Sequence, residues 1–355
     1  MKKVFLILVV MLSVLFSSQS VCASSGEGGE LAIKETIFHH LGDGYGWEVP
    51  FSHHHRIPLP IIVKDCDGQW HCFMSSRVSH GETYDGFYIA EGGDYNGKIV
   101  GKDANGNIYR PLDLSITKNV LALFITMFVV CLCVLSVARW HKRNGFKAPR
   151  KGVGAIEALI AFVYEGVIKS TLKDKARKFA PYLLTVFFFI FVMNLLGLIV
   201  IFPGGANLTG NIAVTLVLAV MTFLVTNIWG TKHYWKDIFW PDVPLWLKFP
   251  IPIMPVIEVF GMFTKPAALT VRLFANMMGG HMIVIVLTML IFIFAPMGAA
   301  VTGATTVVSV IFSIFMLLID VLVSFIQAYV FTMLSTIFIS LAQENPHHEA
   351  EPHDA

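Results

Sequence analysis

Five apolar runs, at 119–138, 180–202, 211–230, 266–295 and 307–341, constrain this chain more than any other feature of its sequence. As helices rising about 1.5 Å per residue, each is long enough to cross the roughly 30 Å hydrocarbon core of a bilayer. Lipid offers no hydrogen bonds to the backbone, so such runs must satisfy their own N–H and C=O groups, and the helix does this within a single segment. The expected fold is therefore an all-α polytopic membrane protein with five transmembrane helices, the last two long enough to need tilt. Composition agrees: apolar residues make up 55% of 355 positions and charged residues 14%, against about a quarter charged in soluble domains. One more apolar stretch, 249–263, carries Pro252 and Pro255 and reads as interfacial or re-entrant.

Ahead of the first run the pattern changes. Lys2 and Lys3, an apolar run over 4–16 and Val21-Cys22-Ala23 before Ser24 have the parts of a secretory signal peptide, so residues 1–23 are expected to be an address. Residues 24–115 contain no run long enough to span. Their Asx-Gly pairs at Asp67-Gly68, Asp85-Gly86, Asn96-Gly97 and Asn105-Gly106 lie between short β-prone segments, the local signal of hairpins. A small β-rich extracytoplasmic segment is expected there, with thirteen Asp/Glu against seven Lys/Arg.

Charge sets the orientation. The loop over 139–178 carries eleven Lys/Arg and three Asp/Glu, whereas 203–210 carries no charge, so the basic loop belongs in the cytoplasm. Five crossings, through a membrane domain over 116–343, leave the tail at 344–355 on that side too. Ile156, Leu159, Ile160, Val163 and Val167 recur at helical spacing, which predicts a helix on the cytoplasmic interface.

Metal chemistry finds little support. Cys66, Cys72 and His71 fall short of the four ligands of a structural zinc site, and His53-His54-His55, His347, His348 and His353 read as solvated loops. An oxidising compartment permits a Cys66–Cys72 disulfide; a tight turn at Asp67-Gly68 would instead pair Cys66 with Gln69 and leave Cys72 out of reach. Cys131 and Cys133 lie within the first run as small apolar residues.

The last two runs hold the polar residues that need a reason. A charge at the bilayer centre costs about 3 kcal/mol or more, yet Arg272 and Asp320 sit in these runs with no Asp, Glu, Lys or Arg between them, and His281 lies in the first of the two. Snorkelling or a structural ion pair would account for them without function. Asn276 shares a helix face with Arg272, and Gln327 shares one with Asp320 at about 10.5 Å along the axis. If the two helices are antiparallel with Arg272 level with Gln327, His281 and Asp320 fall at similar depth. Such a pair could relay protons, because imidazole titrates near neutral pH, whereas Arg272 stays charged at any working pH.

The stretch from Lys265 to His281, KPAALTVRLFANMMGGH, and the run Phe325-Ile326-Gln327-Ala328-Tyr329-Val330-Phe331 resemble subunit a of the rotary F-type ATP synthase. Met193-Asn194-Leu195-Leu196-Gly197, the opening of the third run from Asn211 to Leu216, and Ile37-Phe38-His39-His40-Leu41 add to the likeness. The resemblance implies that Arg272 is the essential charge facing a ring of c subunits, with Asn276 and Gln327 as its polar companions. It implies that His281 and Asp320 form the outer half-channel relay and that Glu258 serves the cytoplasmic exit. It further implies a bacterial inner membrane, a peripheral-stalk b subunit and the remainder of the complex as partners, and no cofactor, metal or nucleic acid. A proton- or cation-coupled secondary transporter is the alternative, although no internal repeat of hydrophobic segments appears. A membrane-embedded hydrolase would need a motif such as His-Glu-x-x-His, which the chain lacks.

Overall fold

The computed structural model describes residues 42–48, 56–66, 68–78, 82–90, 92, 95–102, 108–145, 147, 149, 152–199, 207–239, 253–294, 296 and 298–343. The expected signal peptide, the tail at 344–355, both histidine runs, the Asn105-Gly106 turn and the motif at 37–41 lie outside them.

The β-rich segment is present. Strands β1 (Gly46–Glu48) and β2 (Arg56–Pro58) form one antiparallel pair. Strands β3 (Pro60–Lys64), β4 (Trp70–Met74) and β8 (Leu112–Asp113) form a sheet in the order β4-β3-β8. Strands β5 (Phe87–Ile89), β6 (Ile99–Lys102) and β7 (Ile108–Tyr109) form another in sequence order. The turn chemistry works as the sequence suggests. Asp85 and Gly86 both take positive φ, 53° and 80°, while Tyr84 and Phe87 exchange two backbone hydrogen bonds of 2.9 Å, the geometry of a tight hairpin that matches strand twist. Ile61, Val63, Phe73, Val78, Phe87 and Ile99 form the core, with Tyr45 buried beside them.

The two cysteines do not pair. The Asp65 N–H donates to Gln69 O at 2.9 Å, which leaves Cys66 in the turn, and the β3–β4 register sets Cys72 opposite Ile62, well along the strand. Both thiols are free. The hairpin turns one residue earlier than a Cys66–Gln69 pairing requires, and it still separates the thiols beyond disulfide reach.

Helix α1 (Lys118–Asn144) follows directly. Its start is tied to the strands: Lys118 N–H donates to Gly44 O at 2.9 Å, and Asn119 N–H to Asp43 Oδ1 at 3.2 Å. Helix α2 (Gly152–Val163) passes through a π-helical turn at Tyr164–Lys169 and a break at Lys173, whose φ is 48°, into α3 (Ala176–Leu198). Asn211 caps α4 (Ile212–Ile228) by accepting from the Ala213 N–H at 3.0 Å. The chain then bends by 104° into α5 (Lys232–Phe239). The long helices α6 (Ile253–Phe294) and α7 (Ala299–Gln343) complete the described fold. Four helical stretches are long and apolar enough to cross a membrane, and the bent α4–α5 pair makes a fifth. The chain is a multi-pass membrane protein.

Two expectations change. The stretch at 249–263 is, from Ile253 onward, the opening of α6 itself. Pro255 falls in the first turn, where no intrahelical N–H bond is lost, and the helix also carries Pro266 without ending. The apolar stripe of α2 is used against protein: Ile156, Leu159, Ile160 and Val163 pack into the bundle core with Leu183, Phe187 and Phe331, and Phe162 meets the rings of Phe325 and Tyr329.

By contacts the chain divides into two compact units, residues 1–125, 196–208 and 281–318 in one, and 126–195, 209–280 and 319–355 in the other. The first holds the β-sheets, whose core was described above. The second is organised by Phe179, Leu183, Phe187 and Ile190 of α3 packed with Leu269 and Leu273 of α6 and Ala328 and Phe331 of α7.

Candidate functional site

Within the second unit α6 and α7 run antiparallel, and polar groups set their register. Asn276 Nδ2 donates to Gln327 Oε1 at 2.7 Å. Four residues further along α6, Gly280 meets Asp320 of α7: a Cβ built on Gly280 would lie 2.5 Å from Asp320 Oδ1. Only glycine leaves room there, so the second Gly of Met277-Met278-Gly279-Gly280 admits the carboxylate against bare backbone. Asp320 is 7% exposed and Gln327 3%. The register differs by one helical turn from the assumption that Arg272 is level with Gln327. Asn276 holds that place, and Arg272 lies one turn before it.

Arg272 is on the outward face of α6 with Val271, Ala275 and Asn276, while Leu269, Leu273 and Met277 point inward and are buried. Spacing explains the division, since positions three or four apart share a face. Among the described residues none pairs with Arg272 or accepts a hydrogen bond from it. The side chain lines an open pocket of about 320 Å³ with Thr264, Lys265, Ala268, Leu334 and Phe338. Small residues at Ala268 and Ala275 flank the arginine and leave it unscreened by neighbours on its own helix.

His281 lies in the other unit, where Nε2 donates to Gly197 O at 3.2 Å. That carbonyl closes the Met193-Asn194-Leu195-Leu196-Gly197 motif at the end of α3, so the motif has a physical task. A carbonyl can only accept, so this bond places a proton on Nε2. Asn194 itself is fully buried, and its amide oxygen and nitrogen find no protein partner among the described residues. A buried amide in that state calls for water. Glu258 is exposed near the start of α6, about 21 Å along the axis from Arg272.

Two features escaped the sequence reading. Lys265 opens the Lys265–His281 motif, and its Nζ stands 5.5 Å from the Phe338 ring centroid. It lines the Arg272 pocket and also a smaller cavity of about 20 Å³, lined by Thr222, Asn227, Tyr234 and Phe338 among others. That volume holds about one water. Beside it runs a buried polar file: Tyr182 Oη and Thr222 Oγ1 are 3.0 Å apart, and Thr222 Oγ1 and Ser335 Oγ 3.5 Å. The threonines and Ser335 looked like ordinary small residues of apolar runs, and only the lysine carried a signal.

A multi-pass helical protein that presents an arginine outward on an apolar helix face, unpaired among the described residues, with a buried carboxylate and amide and a half-buried imidazole along the same two helices, belongs to the class that handles ions across membranes. Comparison with known proteins narrows this. The ATP synthase A chain family matches residues 120–340, and a domain of unknown function (DUF8433) matches 36–116. The chain is 43% identical over 249 residues to ATP synthase subunit a of Chlorobium phaeobacteroides (strain BS1), covering 67% of this chain and 69% of the relative. Against ATP synthase subunit a of Myxococcus xanthus (strain DK1622) it is 39% identical over 263 residues, covering 72% and 82%. The chain belongs to the ATP synthase A chain family.

Proposed function

We propose that this chain is the proton-translocating subunit of the membrane sector of a rotary ATP synthase, with Arg272 as a fixed charge facing a ring of c subunits. The observation that carries the reading is the outward Arg272, unpaired among the described residues and flanked by Ala268 and Ala275. A cation without a partner on an apolar face is costly unless an anion comes to it. A carboxylate on each passing c subunit supplies that anion.

Protons enter from outside along His281 and Asp320 and reach the carboxylate of a c subunit. After nearly a full turn through lipid, the carboxylate meets Arg272, whose charge favours its ionised form and expels the proton inward. The inner route runs by the Lys265 pocket toward Glu258. Asn276 and Gln327 hold α6 and α7 in register beside the arginine. The basic 139–178 loop and the tail lie in the cytoplasm of a bacterium, the β-rich segment lies outside the inner membrane, and a peripheral-stalk b subunit holds the chain against rotation. ATP is made elsewhere in the complex.

The test is Arg272→Ala in the assembled complex, reconstituted in vesicles, energised with ATP and followed with a pH-sensitive dye. Acidification should be abolished while assembly persists, and passive proton leak should stay equal or rise. Arg272→Lys should fail as well, because lysine lacks the planar fork and can deprotonate when desolvated. Normal acidification by the alanine variant would make Arg272 a structural residue and end the reading.

A further inference from the structure

The outer face of the β4-β3-β8 sheet is not the polar surface expected of a sheet in water. Residues directly opposite one another share a face, and the register fixes which they are. Lys64 pairs with Trp70 and Leu112, Ile62 with Cys72, and Pro60 with Met74. The chain continues the pattern past β8, with Leu114 N–H donating to Ile62 O at 2.9 Å and Ile116 N–H to Pro60 O at 3.1 Å. The face is thus a grid of three rows: Leu112, Lys64 and Trp70, then Leu114, Ile62 and Cys72, then Ile116, Pro60 and Met74. Lys64 is its one charge. Trp70 is 54% exposed, Met74 46%, Leu112 57% and Leu114 60%. Positions between them, Ile61, Val63 and Phe73, are the buried core, so this apolar face is additional to the one that holds the domain together. An array of this kind normally marks an interaction site.

We infer that this face docks on the lipid bilayer, lying against the headgroup and upper acyl region of the leaflet where α1 begins. Three observations select lipid as the occupant. First, Lys118 and Arg139 bracket the uncharged stretch 119–138, and about 30 Å of helix separates them, one hydrocarbon thickness. Lys118 therefore marks the membrane edge, and Ile116, two residues earlier at about 3.3 Å each, falls inside the headgroup layer. Second, the joint has no slack. The Lys118–Gly44 and Asn119–Asp43 hydrogen bonds pin the strands to the start of α1, where Val120 and Phe124 are themselves exposed apolar residues. Third, the chemistry is interfacial. Although 24–115 carries thirteen Asp/Glu against seven Lys/Arg, the grid has no carboxylate to repel lipid phosphates. Its Lys64 Nζ stands 5.7 Å from the Trp70 ring, and tryptophan and a snorkelling lysine are the residues that settle at headgroup depth. The inference depends on α1 crossing the membrane and not on the proton path.

The experiment places an environment-sensitive fluorophore on Cys72 in the assembled complex in lipid nanodiscs, with the other cysteines replaced by serine. Parallel samples carry it at Trp70→Cys, and at Tyr95→Cys in the turn before β6 as a water-exposed reference. The quenchers are lipid with a nitroxide at a shallow acyl carbon and aqueous iodide. The Cys72 and Trp70→Cys reporters should be quenched severalfold more by the lipid nitroxide than the Tyr95→Cys reporter, and severalfold less by iodide. Quenching by iodide equal to that at Tyr95→Cys would put the face in water and overturn the inference. Protection from both quenchers would mean that a protein segment covers it, which also overturns it. Should Trp70→Cys fail to assemble, the native Cys72 position decides alone.

Discussion

The β-rich segment and the helices around Arg272 differ in what they do with their polar groups. Among the described residues of the β segment, each conspicuous polar group is paired. Tyr45 Oη donates to Asp113 Oδ2 at 2.5 Å, His71 Nδ1 meets Asp85 Oδ2 at 2.5 Å, and Tyr109 hydrogen-bonds Asp65. Burial and the Asp113 carboxylate beside it push the Tyr45 hydroxyl well above the usual phenol range, so it stays a neutral donor. The long helices hold paired groups too, Asn276 with Gln327 and His281 with Gly197, but two others stand apart. Arg272 faces outward unpaired among the described residues, and on α3 Asn194 is buried without a protein partner. Satisfied polar groups hold a structure in one state. Groups left unsatisfied at the cost of stability are kept for something that comes and goes, here a proton, a water or a carboxylate.

The sharpest way to break this contrast is to change the groups that should move protons and ask whether they act like the structural pairs of the β segment. His281→Ala and Asp320→Ala should each slow ATP-driven pumping by about tenfold or more, within the range for loss of a positioned acid or base. The double exchange, His281→Asp with Asp320→His, should recover part of the rate, because one acid and one imidazole remain. Wild-type rates in either alanine variant from mildly acidic to mildly alkaline pH would remove these residues from the path. They would then resemble His71 and Asp85, a pair with a structural task.

Much of this division was legible in the sequence. Apolar runs marked the helices because lipid demands them, and the Asx-Gly pair at 85–86 marked a hairpin because its turn needs positive φ. Hydropathy placed the start of α6 too late. Glu258 and Lys265 interrupt the apolar pattern, yet a helix held by its own backbone bonds continues through both. The level of Arg272 against α7 was one turn out of register. Nothing within a single helix says which turn of its neighbour it will face; Gly280 does so here by making room for Asp320. The Cys66–Cys72 pairing failed for a similar reason, since the exact turn, Asp65 to Gln69, decides which side of the hairpin each thiol joins.

A smaller effect separates structural from functional polarity within the site itself. The Asn276–Gln327 hydrogen bond connects two helices as the β-segment bonds connect strands, so it should behave as a scaffold. Asn276→Leu and Gln327→Leu should each lower pumping partially, and a double-mutant cycle should show coupling of about 0.5–1.5 kcal/mol in the stability of the assembled membrane sector. Additive losses would mean that the two amides act independently, each on the passing c subunit.

The smallest effect belongs to the β segment and tests whether its pairs are only structural. The hydrogen bond from Tyr109 holds the Asp65 carboxyl below its usual range. A carboxyl whose pKa is depressed by folding stabilises the fold at pH above its unfolded value of about 3.9, and that contribution disappears as pH falls through the folded value. Tyr109→Phe removes the donor. Hydrogen exchange at β7 in the full chain should therefore be faster in the variant than in wild type at neutral pH, and the ratio of the two rates should decline toward one as the buffer is taken below about pH 3.9. Taking the ratio at each pH cancels the intrinsic chemistry of exchange. Asp65 is only partly buried, so screening by solvent keeps the difference small, and proton pumping should not change at all. A pumping defect in Tyr109→Phe would tie this segment to the ion path and dissolve the separation between the two regions.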